Sequence, residues 1–175
     1  MTASLRRSFP ESALAAALTR QFEQLRMAEK QVSRRESRDS LRRLHFFSTF
    51  SDEEIDEILA ASTMFTYEAG QVIIDEGDID NTFYIIALGQ AEVRKGSKLI
   101  NTLDKGDCFG EIGFLTSAKR TATVSAATKV LALKVNSTLM EKVSRECQLR
   151  FYKVFTETLI YRLTVTSAKL SAARS

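Results

Sequence analysis

Glu111 and Arg120 stand nine residues apart in FGEIGFLTSAKRTATV, Phe109 to Val124, and offer a carboxylate and a guanidinium to whatever the loop between them encloses. Gly110, just before the carboxylate, lets a ligand or another strand approach the backbone closely. If the intervening residues coil into a short helix, both side chains reach one ligand from opposite ends. The carboxylate would accept a hydroxyl hydrogen bond, while the guanidinium and exposed backbone N–H groups would bind a phosphate. A mutual salt bridge between Glu111 and Arg120, tying down the loop, uses the same residues and stays open at this point. Lys119 reads as a solvated surface cation. Thr121 and Thr123 alternate with Ala122 and Val124, the pattern of entry into a strand, which turns one threonine toward the pocket.

The elements that must hold these groups change character along the chain. From Thr63 onward, short apolar or β-branched stretches (MFTY, QVIID, TFYIIAL, QAEVRK, SKLINTL, TATVSAATKVLALKV) alternate with turn strings. That pattern predicts many short strands in a compact barrel or sandwich, with glycines 70, 77, 89, 96 and 106 at the turns. Ahead of it, SDEEIDEILAAS offers Ser51 as an N-cap with Glu54 three residues on, and Ile55, Ile58 and Leu59 as the inward face. After it, helix is expected from Ser137 to about Cys147 and from Gln148 to about Ser167. Leu149, Tyr152, Phe155, Leu159 and Leu163 form a broad apolar stripe there, and Tyr152, Phe155 and Leu159 can face one neighbour together. Glu11 to about Arg38 reads as a further helix. Leu18, Leu25 and Val32 recur every seven residues, with Leu14 and Ala28 at companion positions, which suits either a short coiled coil or packing on the protein's own domain. The expected organisation is therefore a helical extension over 1–40, one domain over 41–167 and a flexible tail over 168–175.

Composition narrows the chemistry. A chain of 175 residues with 44% apolar content, one proline and no tryptophan suits one compact domain plus a helical extension. One histidine and two distant cysteines, Cys108 and Cys147, supply neither a zinc set nor a histidine-based triad, and both thiols are expected to be reduced and buried. No phosphate-loop signature supports enzyme chemistry, and no run is long enough to cross a bilayer, so the expected location is the cytoplasm. The net charge of +3 hides three zones: +5 over residues 1–45, −10 over 46–80 and +8 over 81–175. The acidic zone fits either a solvated helix face or a docking surface. No nucleic-acid motif accompanies the basic residues.

The residues of the opening stretch also carry a resemblance. Phe109, Gly110, Glu111, Arg120 and Ala122 are similar, at the same intervals, to the phosphate-binding cassette of the cyclic-nucleotide-binding domain family, the module of cyclic-AMP-dependent kinase regulatory subunits, cyclic-nucleotide-gated channels and catabolite activators. EGD at 76–78, GQAEV at 89–93 and KGDCFGE at 105–111 match neighbouring family features in order, and the resemblance covers about Leu41 to Leu163. It implies an α+β fold, an antiparallel β-roll or jelly-roll barrel between N-terminal and C-terminal helices. It implies a ribose 2′-hydroxyl at Glu111 and the cyclic phosphate at Arg120, with Gly110, Ile112, Gly113, Thr121 and Ala122 lining the phosphate site. A purine lid is expected from the last helix, with Phe155 preferred over Tyr152 and Leu159. Two positions depart from the family: Lys119 where proline is frequent, and Gly113 where alanine or serine is common. Thr121 stands where threonine can favour cyclic GMP. Cyclic AMP is nonetheless the expected ligand, as the commoner one among bacterial-looking members, with cyclic GMP the alternative. The implied function is a non-catalytic sensor without cofactor, whose helix closes over the base and signals to a homodimer partner or effector through the N-terminal helix. No DNA-reading domain is visible. The alternative is a degenerate β-roll serving as a dimerisation or docking scaffold.

Overall fold

The computed structural model describes residues 33–172. The seam from Leu14 to Val32 and the last residues, 173–175, lie outside that part. The chain divides into two compact units at Ser37. Of the first, residues 33–37 are described and helical, with Ser37 Oγ donating to the Ser33 carbonyl at 2.8 Å. The second unit begins with a helical turn through Arg42 and a 3-10 turn at His45–Phe47.

Helix α1, Asp52–Ala60, starts where its sequence says it should. Ser51 Oγ accepts from the Glu54 backbone N–H at 3.2 Å, and the Glu54 carboxylate accepts from Ser51 N–H at 2.7 Å, a reciprocal capping box. Ile55 and Ile58 point into the core. Eight strands follow: β1 Ser62–Tyr67, β2 Val72–Ile74, β3 Thr82–Leu88, β4 Ala91–Lys95, β5 Lys98–Leu103, β6 Cys108–Phe109, β7 Thr123–Ala126 and β8 Val130–Asn136. They form two four-stranded antiparallel sheets, ordered β1-β8-β3-β6 and β2-β7-β4-β5. The β-roll is the predicted α+β arrangement, with helices on its flanks.

Strand β3 reads as an unbroken apolar run because it is buried on both faces. Its Phe83 and Ile85 join Leu133 and Val135 of β8 beneath the helices, whereas Tyr84 and Ile86 join Val130 and Ala132 between the two sheets. Alternation along one strand thus serves two cores. At the β3–β4 turn Gly89 has φ +87°, and a Cβ there would lie 2.1 Å from the Lys129 carbonyl oxygen, so no other residue fits.

Helix α2, Glu111–Thr116, interrupts the strands, and α3, Ser137–Met140, and α4, Arg145–Ala172, close the chain. The second C-terminal helix begins earlier than the sequence pattern suggests, and residues 168–172, expected as tail, continue it. Its start is set by a tertiary contact, the Glu57 carboxylate accepting from Ser144 N–H at 2.6 Å, and by a local cap, Ser144 Oγ accepting from Cys147 N–H at 3.3 Å. Arg150 pairs with buried Glu54 at 2.8 Å. Much of the acidic zone is paired with cations. Asp52 and Asp56 meet Arg38 and Arg42, Glu76 meets Lys95, and Glu68 meets Lys129. Among the described residues no helix is long and apolar enough to cross a membrane.

Candidate functional site

Strand β6 delivers the chain to the site, and Phe109 anchors it by stacking on Tyr84 with ring centroids 5.1 Å apart. Gly110 then turns the backbone at φ +82° and opens α2. Helix α2 ends at Ser117, also left-handed at φ +54°, and the chain returns through Arg120 into β7. This loop–helix–loop buries Glu111 to 3% and Arg120 to 5% exposure. Buried charges need partners.

The partners are not each other. Arg120 Nη1 donates to the Gly110 carbonyl at 2.7 Å, and Nη2 donates to the Thr82 carbonyl at 2.6 Å and to Thr82 Oγ1 at 3.1 Å. Asp80 Oδ2 lies 3.4 Å from Nη2. Burial alone would raise the Asp80 carboxyl, yet the Thr82 hydroxyl and the positive Arg120 and Lys134 outweigh it and hold the group below its ordinary value. Arg120 Nε is buried and has no hydrogen-bond partner among the described residues. Glu111 Oε1 instead accepts from Arg162 Nη1 of α4 at 2.6 Å, and Arg162 Nη2 donates to the Cys108 carbonyl. The mutual Glu111–Arg120 salt bridge left open by the sequence is absent.

Around these groups lies a cavity of about 950 Å³, at the upper end of the range typical of small-molecule sites, about 300–1,000 Å³. Gly110, Glu111, Ile112, Gly113, Arg120, Thr121 and Ala122, all singled out from the sequence, line it. Val93, Ile100 and Leu103 of β4 and β5 form an apolar wall, and α4 contributes Leu159, Arg162, Leu163 and Thr166. One end is thus polar, with Arg120 and Arg162 among its charges, and the other apolar. That division suits a ligand with an anionic end and a flat apolar body.

Phe155 requires a correction. The preferred lid residue is fully buried in the core beneath the helices, with ring centroids 4.8 Å from Phe83 and 5.8 Å from Phe46 and Phe151, and it does not line the cavity. It sits one helical turn too early, where α4 is pressed against the first sheet. Leu159, one turn later, faces the cavity, while Tyr152 is half exposed and lies outside it. Sequence reasoning missed Arg162, Asp80 and Thr82. Arg162 carried a faint signal, as the one cation in the otherwise apolar and threonine-rich run TLIYRLTVT. Among the described residues no group of side chains could hold a metal ion.

Comparison with known proteins gives a family and a fold. Residues 64–147 match the cyclic nucleotide-binding domain family. The cAMP-dependent protein kinase regulatory subunit of Eremothecium gossypii is 39% identical over 93 residues, 53% of this chain but 20% of that protein. Among solved structures, PKAR CBD2 with Sp-2Cl-cAMPS bound superposes with a TM-score of 0.67 at 23% identity, covering 78% of this chain and 91% of that one, a likeness of fold. The regulatory subunit of a cAMP-independent protein kinase A from Trypanosoma brucei gives a TM-score of 0.63 at 28% identity, covering 73% of this chain and 47% of that one.

Proposed function

The chain carries a domain of the cyclic nucleotide-binding family over residues 64–147, and on that premise we propose that it is a non-catalytic sensor whose cavity takes a cyclic nucleotide and whose helix α4 reports occupancy. The observation that carries this reading is Arg120, which lines the cavity and whose buried Nε–H has no partner among the described residues. A buried unsatisfied donor is costly, and an anionic oxygen is the acceptor that relieves it most. The cyclic phosphate takes the Arg120 guanidinium once it turns into the cavity, beside the backbone of Gly110, Gly113 and Ala122. Glu111 Oε1 is held by Arg162, which leaves Oε2 to accept the ribose 2′-hydroxyl. The base lies between the β5 wall and Leu159 and Leu163 of α4, so closure of that helix follows occupancy.

Cyclic AMP is the proposed ligand, in keeping with the relative from Eremothecium gossypii, and cyclic GMP is the competitor that Thr121 on the cavity wall would favour. The output passes to a homodimer partner, an effector or a parent protein in the cytoplasm. A second reading, a β-roll kept as a docking scaffold, draws support from the internal engagement of Glu111 and Arg120 and from the 28% identity to a cAMP-independent regulatory subunit.

Isothermal titration of nucleotide-stripped protein with cyclic AMP, cyclic GMP and 5′-AMP separates the two. The sensor gives saturable binding of a cyclic ligand with 5′-AMP much weaker, and Arg120→Lys, which keeps the charge but loses Nε, weakens it by about tenfold or more. No heat from either cyclic ligand, repeated in a second binding assay, leaves the scaffold.

A further inference from the structure

We infer that Gly113 is a positioning residue that holds the Arg120 guanidinium in a self-bound pose competing with the anionic ligand, so that this glycine keeps affinity low; the inference rests on the reading of Arg120 as the phosphate's partner. Gly113 lies inside α2 with an ordinary helical backbone, not in the left-handed region. Conformational freedom therefore does not explain a glycine there, and alanine would suit the helix better. Space does explain it. A Cβ on Gly113 would stand 2.8 Å from Arg120 Nη1, 3.4 Å from Arg120 Cζ and 3.2 Å from the Asp80 carbonyl oxygen. Gly110 backs the same guanidinium, with Nη1 again 2.8 Å from where its Cβ would be. The guanidinium thus lies in a slot floored by two glycines, close enough for Nη1 to reach the Gly110 carbonyl.

A methyl at Gly113 closes that slot. The Asp80 segment is the stiffer neighbour: its carboxylate takes the Thr82 hydroxyl at 2.7 Å, and the Asp78 carbonyl takes Arg120 N–H at 2.7 Å. The guanidinium is the far end of a flexible side chain, so it yields, toward the cavity that it also lines. Nη1 then leaves the Gly110 carbonyl. Whatever that bond contributes in the empty protein is lost or shared when an anion binds, and removing it beforehand removes the competition.

The test is Gly113→Ala. Without ligand, the 15N-edited Arg120 side-chain resonances should shift and lose the protection of a carbonyl-bound guanidinium, and calorimetric affinity for cyclic AMP should rise by about tenfold, the worth of one charge-assisted hydrogen bond. Unchanged Arg120 resonances, or an affinity equal to or below that of the parent protein, overturn the inference. Gly113→Ala is repeated in an Arg120→Lys background: disappearance of the gain supports the proposed route, and its persistence overturns it, because the gain would then come from the helix alone. A parent protein that binds neither cyclic nucleotide refutes the proposed function, and the ligand-free Arg120 resonances still decide whether Gly113 holds the guanidinium.

Discussion

Each buried charge at the site has a partner supplied by a distant part of the chain. Arg162 reaches back 51 residues to Glu111 and also caps the Cys108 carbonyl, so one side chain ties α4 to both ends of the β6–α2 corner. Removing it leaves a nearly fully buried carboxylate without its cation. Arg162→Ala should therefore lower the stability of the empty protein by roughly 1–3 kcal/mol in urea unfolding. Adding Glu111→Gln in that background should cost less than Glu111→Gln alone, because the charge left stranded is gone. Additive losses would mean that the pair is not coupled and that Arg162 acts through packing.

Helix α4 joins two different environments. Its first part is clamped by Glu57 at Ser144, by Glu54 at Arg150 and by the rings of Phe151 and Phe155. Beyond Phe155, Ile160 is exposed, Tyr161 and Leu163 are exposed while lining the open cavity, and Arg162 supplies a side-chain link to the roll. The fixed part carries stability, and the later part lines the cavity. Phe155→Ala should accordingly cost about 3–5 kcal/mol of unfolding free energy without ligand, measured by chemical denaturation. A small loss of stability with a large rise in nucleotide dissociation rate would return Phe155 to the lid. The spacing of Tyr152, Phe155 and Leu159 was legible as one face. What that face meets changes within a turn, and no local pattern encodes the change.

At the scale of the molecule, folding pairs much of the acidic zone over residues 46–80 with cations from other segments. The acidic α1 is gripped by arginines from before it and from α4, and Asp80 by Arg120. Both cysteines lie inside the fold and are unbridged. Burial, reinforced by the negative Glu111, pushes the Cys108 thiol up to about 12, and burial with Glu57 and Glu54 does the same for Cys147. Raised values mean that the reactive thiolate is scarce at neutral pH, and access is closed as well. Folded protein at about pH 8 should therefore resist iodoacetamide at both thiols, and labelling should track global unfolding. Rapid modification of either under native conditions would contradict the packing of the core beneath the helices or of the α2 corner.

By itself the sequence determined the strand and turn pattern, the capping box at Ser51 and the cassette from Gly110 to Ala122, because each is written in residues close enough to act through local geometry. The resemblance carried by that cassette then supplied the β-roll and the expected ligand. Only the tertiary structure decided that Arg120 pairs with Asp80 and Thr82 while Glu111 pairs with Arg162, that Leu159 faces the cavity where Phe155 does not, and that Gly113 makes space for a guanidinium. Those outcomes depend on which side chains two distant segments bring within about 3 Å of each other. Such pairings follow from packing between elements, and residue spacing within an element does not encode them.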